Sequence, residues 1–547
     1  LDAGGNAFDA AVAVTAALGV VEPYSSGLGG GGFWLLHRAS DGRQVMLDGR
    51  ERAPGAATRD MYVDPAGEVT RDSLDGPLSA GIPGVPAAMA HLAENYGRLP
   101  LARSLAPAVR LAREGFEVTP HYRRMAGWRL AQLRRYPSSA RLFLKAGEVP
   151  PLGHRIRQED LARTLGRLAE EGSAGFYGGR FADILVTTVR AAGGIWTLDD
   201  LASYRVVERD PVVAEYPGAR IVSSAPPSSG GVALVTMLNI LGGIGPVGDD
   251  RALRTHYIVE AMRRAYHDRA EHLGDPDFWS VPVDALLAPV HADALRDTID
   301  PEAATPSRTL DGLSAPGPAG EDTSHFSIVD RQGNRVAATL SINYPFGSGF
   351  VAPGTGLLLN DEMDDFSARP GTPNAYGLVG GEANAIAPGK RPLSSMTPTF
   401  VETDDRVAVL GTPGGSRIIT MVLLATLEFL EGGDARAMVG LPRFHHQYLP
   451  DILFSEPGAF DGEQAARLRG MGHEIKTEDP WGNMQVVIWD RAAGTLDAAS
   501  DPRGEGAAAV RGDAPHRGPY QPVTPRRGSA PPGSASPRSR PPESPPG

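Results

Sequence analysis

Apolar residues recur at every third or fourth position through much of the first half of the chain, and this spacing predicts amphipathic helices. Leu253, Tyr257 and Ala261, for example, fall on one helical face beside charged residues. Asn6 is a suitable N-cap for the first helix, and the serine pair 228–229 is suitable for a later one. The predicted helices cover residues 6–21, 87–95, 101–114, 159–171, 180–192, 231–241 and 251–273.

Alternation of apolar and polar residues predicts strands, and these become more frequent after position 323. Gly333 can adopt a positive φ in a turn at residues 330–334, between two such strands. The predicted strands cover residues 33–37, 44–47, 324–329, 336–342, 399–402, 407–411 and 485–489, with a further helix at 416–430. Mixed helices and strands of this kind indicate sheet layers covered by helices, an α+β arrangement.

A glycine run at residues 27–32, Gly-Leu-Gly-Gly-Gly-Gly, formally matches the spacing of a dinucleotide-binding loop. A helix is predicted before it and a strand after it, which is the reverse of the order that such a loop requires. We therefore interpret the run as a close-packed glycine turn and expect no cofactor there.

Composition narrows the possible functions. The chain has 547 residues, 41% of them hydrophobic, so it can bury a large core. Its formal net charge of −12, with both signs interspersed, argues against a nucleic-acid partner. Cysteine is absent, which excludes disulfides, thiolate zinc sites and a cysteine nucleophile.

The two ends of the chain differ from the rest. The apolar run at residues 7–21 is too short to span a bilayer. The chain begins at Leu1, so we expect a processed or incomplete N-terminus, with any signal peptide upstream. Residues 510–547 are rich in proline and arginine and contain no Leu, Ile, Phe, Met or Trp, so we predict a disordered tail.

The Asp322-Thr323 pair is the strongest chemical candidate, because a predicted strand begins directly after it. If the chain is cut before Thr323, the free residue carries a hydroxyl nucleophile and an α-amine base, with an ordinary amine pKa of about 7.7 to 8.0. Such a pair is common, however, and by itself is more typical of an ordinary strand start.

The segments downstream change that assessment. Residues 339–347 read TLSINYPFG, 359–367 LNDEMDDFS, 390–398 KRPLSSMTP and 411–417 GTPGGSR. In that order and spacing these strings resemble the γ-glutamyltranspeptidase family. Further resemblance lies upstream, at residues 4–11, 50–54, 226–231 and 273–278, so that it covers about residues 1–508.

The resemblance implies a four-layer αββα N-terminal-nucleophile hydrolase sandwich. It implies self-cleavage between Asp322 and Thr323 into a large subunit, residues 1–322, and a small subunit, residues 323–509, which form one αββα unit. Residues 510–547 then form the tail. The matching proteins are typically exported, so we expect a periplasmic or secreted location.

The resemblance also implies roles for residues around the nucleophile. Thr323 is the expected catalyst, and Ser341 stands where many relatives place a threonine that touches it. Gly414 and Gly415 match the oxyanion-hole glycines, whose backbone N–H groups no side chain obstructs.

The remaining expected contacts are with a γ-glutamyl group. Its α-carboxylate would be bound by Arg50, Ser394 and Ser395, and its α-ammonium by Asn343, Glu362 and Asp365. Tyr376 lies in a segment, residues 365–381, that resembles a lid loop. These expected binding residues are Arg50, Asn343, Glu362, Asp365, Tyr376, Ser394 and Ser395.

The activity that this resemblance implies is transfer of the γ-glutamyl group of glutathione or a related compound to water, an amino acid or a dipeptide. We expect no cofactor and no metal, and interpret the adjacent His445 and His446 as structural. Two alternatives stay open: a glutaryl or cephalosporin-type acylase of the same fold, and an uncut, non-catalytic relative.

Overall fold

Two antiparallel sheets form the centre of the computed structural model, which describes residues 1–310 and 323–512. The strands are β1 Gly31–Arg38, β2 Arg43–Asp48, β3 Phe116–Glu117, β4 Arg155–Ile156, β5 Val207–Arg209, β6 Val212–Tyr216, β7 Ala219–Ser223, β8 Ser324–Val329, β9 Arg335–Ser341, β10 Val351–Ala352, β11 Leu357–Leu358, β12 Thr399–Glu402, β13 Arg406–Gly411, β14 Phe444–His445, β15 Leu453–Ser455, β16 Ile475–Thr477, β17 Gln485–Asp490 and β18 Thr495–Ser500. The helices are α1 Ala7–Val21, α2 Val85–Asn95, α3 Leu101–Glu114, α4 Pro120–Trp128, α5 Leu130–Arg135, α6 Pro137–Phe143, α7 Glu159–Glu171, α8 Ala174–Tyr177, α9 Gly179–Ala191, α10 Leu198–Ser203, α11 Gly230–Gly242, α12 Arg251–His272, α13 Val283–Leu287, α14 Pro289–Asp297, α15 Ile418–Leu430, α16 Ala435–Gly440 and α17 Gly462–Gly470.

Each large sheet combines strands from before and after position 323. The five-stranded sheet has the order β5-β2-β1-β9-β8, and the six-stranded sheet has the order β18-β17-β13-β12-β7-β6. Their neighbouring strands are all antiparallel. The segments on the two sides of position 323 therefore share both sheets rather than forming separate layers.

Strand β1 shows why the sheets are covered on both faces. Successive side chains point to opposite faces of a strand. Phe33 and Leu35 pack in the core that contains the six-stranded sheet and helices α11, α12 and α15. Trp34 and Leu36 pack in a second core, with helices α1, α2, α3, α7 and α9. The order helix, sheet, sheet, helix confirms the four-layer α+β arrangement.

The close-packed glycine turn before β1 is also confirmed. A Cβ on Gly29 would lie 1.9 Å from the Leu358 carbonyl oxygen, and one on Gly30 would lie 2.0 Å from the Ser341 carbonyl oxygen. Only glycine allows the backbone to approach these neighbours so closely. The turn consequently holds the end of β9, which carries Ser341, against the start of β1.

Two further expectations concern membrane-spanning helices and the C-terminal tail. Among the described residues, no helix is both long and apolar enough to cross a membrane. The predicted disordered tail at residues 510–547 lies outside the described residues from position 513 onward.

Candidate active site

Thr323 lies directly before β8, and its side chain faces a cavity between segments that are distant in sequence. The residue is only 7% exposed, and its φ is +152°, a conformation that strains a β-branched residue. The cavity is lined by Thr323, Ser341, Asn343, Glu362, Asp365, Tyr376, Leu378, Ser394, Ser395, Met396, Gly415 and Ile418. Nine of the residues that the sequence predicts for the site therefore share one cavity.

Three other predicted site residues are not among those lining residues. Asp322 lies outside the described residues. Gly414 precedes the cavity-lining Gly415, and Arg50 is fully buried behind the carboxylates that line the cavity.

Arg50 makes ion pairs with the two carboxylates expected to bind the substrate ammonium. Its Nη1 donates to Glu362 Oε1, and its Nη2 donates to Asp365 Oδ2 at 2.5 Å. Its Nε donates to the Pro392 carbonyl oxygen at 3.1 Å, close to the serine pair 394–395. Arg50 thus connects the predicted ammonium site with the segment that carries the predicted carboxylate site. Its charge is balanced by the two buried carboxylates.

Burial makes both carboxylates, Glu362 and Asp365, harder to ionise. Burial raises the pKa of Glu362 to about 7, although Arg50 partly opposes this shift. Burial likewise raises the pKa of Asp365. Among the described residues, no N–H group donates to Glu362 Oε2, and the buried Glu51 carboxyl is a close neighbour of Glu362. A buried acceptor of this kind, in a cavity wall, is suited to receive a hydrogen bond from a cation.

Asn343 is held in place by both its side chain and its backbone. Its φ is +72°, a region that asparagine tolerates better than most residues. Its Nδ2 donates to the Asp361 carbonyl oxygen at 3.0 Å, and its backbone N–H donates to Ser341 Oγ at 2.8 Å. The predicted contact between Ser341 and Thr323 stays a prediction, and Ser341 Oγ accepts this bond from Asn343.

The segment that resembles a lid lies across the cavity. Tyr376 donates its hydroxyl to the Asn343 carbonyl oxygen at 2.7 Å, and it is 4% exposed. Asn374 Nδ2 donates to Asp365 Oδ1 at 2.9 Å. The segment is therefore hydrogen-bonded to Asn343 and Asp365, two of the three residues that are predicted to bind the ammonium.

The glycine pair after β13 has a backbone that side-chain-bearing residues rarely adopt. Gly414 has a φ of +139° and Gly415 a φ of +53°, and a 3₁₀ turn at Gly415–Arg417 leads into α15. A Cβ on Gly415 would lie 2.4 Å from Cδ1 of Tyr376. These conformations explain why α15 begins at Ile418, two residues later than predicted.

The serine pair 228–229 supports the serine pair 394–395. Ser228, one residue before the N-cap of α11, accepts a hydrogen bond at its Oγ from the Gly230 N–H at 3.1 Å. Ser229 is the N-cap residue of α11 as predicted, but its hydroxyl makes no capping hydrogen bond and donates to the Ser394 carbonyl oxygen at 2.7 Å. The start of α11 is thereby connected to the cavity wall.

One group of potential metal ligands occurs among the described residues, away from this cavity: His256, Glu260 and His473, all buried. His256 Nδ1 and His473 Nε2 are hydrogen-bonded at 2.8 Å. Glu260 is already paired with Arg263 at 3.2 Å and with Arg264 at 2.5 Å. Two adjoining guanidinium groups oppose a metal cation, so we interpret the group as a structural network.

His445 and His446 are engaged in protein contacts. His445 bonds with Thr420 Oγ1 at 2.9 Å and Gln447 Oε1 at 2.8 Å. His446 Nε2 bonds with Asp451 Oδ1 at 3.2 Å. Gln447 in turn donates to the carbonyl oxygen of Gly377 at 3.1 Å, so this network supports the lid segment.

Comparison with known proteins agrees with this geometry. The family model described as gamma-glutamyltranspeptidase matches residues 1–511. The chain belongs to the γ-glutamyltranspeptidase family. It is 42% identical over 510 residues to the glutathione hydrolase proenzyme of Escherichia coli, covering 92% of this chain and 87% of the relative. It is 40% identical over 526 residues to the protein of that name from Pseudomonas aeruginosa, covering 93% and 91%.

Solved structures of the γ-glutamyltranspeptidase fold are similar as well. A cephalosporin acylase from Bacillus halodurans aligns with a TM-score of 0.80 at 29% identity, covering 93% of this chain and 92% of its own. The γ-glutamyltranspeptidase of Helicobacter pylori aligns with a TM-score of 0.54 at 40% identity, covering 56% of this chain and 89% of the aligned chain. The fold is therefore shared by relatives with both kinds of name.

Sequence reasoning missed three buried residues that lie behind the cavity. Glu51 is fully buried beside Arg50, and burial raises its pKa well above the usual range. Asn360 donates to the Gly29 and Gly81 carbonyl oxygens, at 2.6 and 2.8 Å, and accepts from the Glu362 N–H at 3.0 Å. Arg269 contacts Ser395. Glu51 and Asn360 lie within strings that resemble the family, at residues 50–54 and 359–367, so these strings could have indicated them. Arg269 lies on helix α12 outside any such string.

Proposed function

We propose that this protein is a γ-glutamyltransferase and glutathione hydrolase that matures by cutting itself before Thr323. The observation that carries the proposal is the cavity in which Thr323 faces Glu362, Asp365, Ser394 and Ser395. Such a cavity combines a nucleophile with polar and charged groups that suit a zwitterion. The names of the 40–42% identical relatives support the same activity.

In the first stage, the Thr323 hydroxyl attacks the Asp322 carbonyl carbon. The peptide bond breaks as the acyl group moves from nitrogen to oxygen, and water hydrolyses the resulting ester. The products are an Asp322 carboxylate and a free Thr323 amine. The strained φ of +152° at Thr323 supports this stage, because breaking the bond releases the strain.

The products of this stage are two chains, residues 1–322 and 323–547. Both chains contribute strands to each central sheet, so we propose that they stay together as one αββα unit. The word proenzyme in the relatives' names supports such processing.

In the second stage, Thr323 Oγ1 attacks the γ-amide carbonyl of the donor while the Thr323 amine accepts the hydroxyl proton. We assign the developing oxyanion to the Gly414 and Gly415 N–H groups. The amine then gives its proton to the leaving amine, and a γ-glutamyl ester remains on Thr323. Water or an acceptor amine resolves the ester, which gives ping-pong kinetics.

Recognition of the donor uses the charges behind the cavity. We assign the donor α-ammonium to Asn343, Glu362 and Asp365. We assign its α-carboxylate to Ser394 and Ser395, with Arg50 behind them. Glu362 Oε2 receives no hydrogen bond from an N–H group of the described residues, which supports the ammonium site, since an ammonium would supply one. We place Tyr376 over the bound glutamyl group, as a cover that excludes water.

An acylase for glutaryl or cephalosporin amides is the second candidate, and the similarity to the Bacillus halodurans acylase favours it. A glutaryl group has no α-ammonium, so it would leave Glu362 and Asp365 with only arginine side chains of the protein as counter-charges. That cost favours the γ-glutamyl donor. We also propose that the protein is exported, on the resemblance to its family.

The test is release of p-nitroaniline from γ-glutamyl and glutaryl anilides by the processed protein, together with release of glutamate from glutathione. We expect the γ-glutamyl anilide to be preferred at least tenfold in kcat/KM, because the ammonium contributes charge-assisted hydrogen bonds. An acceptor dipeptide should raise the rate with parallel double-reciprocal lines. Preference for the glutaryl anilide would identify an acylase instead.

A further inference from the structure

Arg269, in the last turn of α12, is a second guanidinium close to the predicted α-carboxylate site. It is 4% exposed. Its Nε donates to Ser229 Oγ at 3.0 Å, and its Nη2 donates to Ser395 Oγ at 3.4 Å. In the described part of the chain its side-chain partners are thus hydroxyl groups rather than a carboxylate.

A buried cation held only by neutral groups is costly, since removal of a charge from water is normally offset by an ion pair. The other buried arginines of α12 follow that rule: Arg263 and Arg264 are both paired with Glu260. Arg269 departs from it, although the attraction of Asp365 and the repulsion of Arg50 both act on it. Its positive charge is therefore available to an anion near Asp365 and Arg50.

The hydrogen bond to Ser395 also sets the direction of that hydroxyl. A guanidinium can only donate, so Ser395 Oγ accepts, and its own hydrogen must point away from Arg269. Ser395 lines the cavity. The second donor of Arg269 acts in a similar way through Ser229, whose hydroxyl supports the Ser394 carbonyl.

Arg50 alone is a weak anion site, because Glu362 and Asp365 already neutralise it. A substrate carboxylate beside these two carboxylates would be repelled unless another positive charge acts on it. We propose that Arg269 is a positioning residue that supplies this charge through Ser395, and so selects donors that carry an α-carboxylate. This inference rests on the proposed γ-glutamyl function.

The experiment compares two donors with processed wild-type and Arg269→Gln enzyme. One donor is γ-glutamyl-p-nitroanilide, and the other is its 4-aminobutanoyl counterpart, which keeps the amine and lacks the α-carboxylate. We expect Arg269→Gln to raise KM for the γ-glutamyl donor by about 10-fold to 100-fold, with kcat nearly unchanged, as for loss of a hydrogen bond to a charged group. KM for the 4-aminobutanoyl donor should not change.

Three further variants separate positioning from folding. Arg269→Lys keeps the charge and should retain part of the preference for donors with an α-carboxylate. This variant also provides the test if Arg269→Gln fails to mature. In a Ser395→Ala background, Arg269→Lys should add little, because the two residues act as a unit. Arg264→Gln removes a buried arginine from the same helix and should lower the melting temperature without changing donor preference.

An equal loss for both donors, or additive effects of Ser395→Ala and Arg269→Lys, would overturn this inference. So would an unchanged donor preference in Arg269→Gln. If the wild-type enzyme itself releases nothing from γ-glutamyl-p-nitroanilide, the proposed function fails first. Wild-type activity with no change in preference defeats the Arg269 proposal alone.

Discussion

Gly415 is a position where both backbone and surroundings exclude a side chain. Its φ is +53°, and an added Cβ would lie 2.4 Å from the Tyr376 ring. We expect Gly415→Ala to lower kcat by at least about 100-fold, because the oxyanion donors would shift. Gly432→Ala is the matched control, since Gly432 has a φ of +95° but open space around it. Steady-state kinetics on processed enzyme decide: a wild-type kcat in Gly415→Ala would remove this glycine from the oxyanion site.

Glu362 should give donor binding a dependence on pH. Its pKa is raised to about 7 by burial, so its charged fraction falls as the pH drops below that value. The carboxylate form is the one that attracts an ammonium, so kcat/KM for γ-glutamyl donors should decrease on the acid side. Glu362→Gln should lower kcat/KM and lose this part of the profile.

Two comparisons isolate the Glu362 contribution from other titrations. Both enzymes keep the Thr323 amine, so the difference between the two profiles reports the change at Glu362. A glutaryl donor, which lacks the ammonium, should show no such difference. Identical profile shapes for the γ-glutamyl donor in both enzymes would contradict the assigned role.

Much of the site could be predicted because its residues occur in short strings that resemble those of the γ-glutamyltranspeptidase family. Thr323, Glu362 and the serine pair 394–395 are of this kind, and all line one cavity. The ion pairs of Arg50 could not be predicted, because they join residues 312 and 315 positions apart. Arg269 was missed for the same reason, since it meets Ser395 across 126 positions.

Helix α1 depends on its cap. Asn6 Oδ1 accepts from the N–H groups of Phe8 at 3.0 Å and Asp9 at 3.1 Å, and its Nδ2 donates to the Tyr96 carbonyl oxygen at 2.7 Å. We expect Asn6→Ala to lower the free energy of unfolding by about 1 to 2 kcal/mol. Thermal unfolding should show the loss while activity at 25 °C is retained. Asn95→Ala, at an exposed helix end, is the control, and equal melting temperatures would contradict the capping role.

The elements that the sequence predicted are those with a strong local period. Helices at 101–114 and 159–171 and the strand at 324–329 have the predicted bounds, because their periods of hydrophobicity match their burial. Helices α4, α5 and α6 were missed: they are short, and arginine interrupts their apolar pattern. Strands β5 and β18 are partly exposed and are specified mainly by their partners in the sheet.

Because the segments before and after position 323 share both central sheets, the two chains of the processed protein should remain associated. Strand β1 pairs with β9, and β7 pairs with β12, so backbone hydrogen bonds and apolar packing both join residues 1–310 to residues 323–512. We expect the two chains to stay together in 1 M NaCl, because salt screens charges but does not remove backbone hydrogen bonds or apolar packing. Size-exclusion chromatography with light scattering should give the summed mass, while a denaturing gel shows two bands. Separation into single chains in salt would contradict this arrangement.

Self-cleavage at Thr323 is the step on which the whole account depends. Ser324 supplies a matched control, because its hydroxyl is next in sequence but donates to Glu22 Oε2 at 2.6 Å. Ser324→Ala should therefore still be cut.

The decisive measurement is intact mass with N-terminal sequencing of purified wild-type, Thr323→Ala and Ser324→Ala protein. We predict two chains in wild type and Ser324→Ala, the second beginning at Thr323, and one uncut, inactive chain in Thr323→Ala. Efficient cutting of Thr323→Ala, or an uncut wild-type chain that releases glutamate from glutathione, would contradict the account.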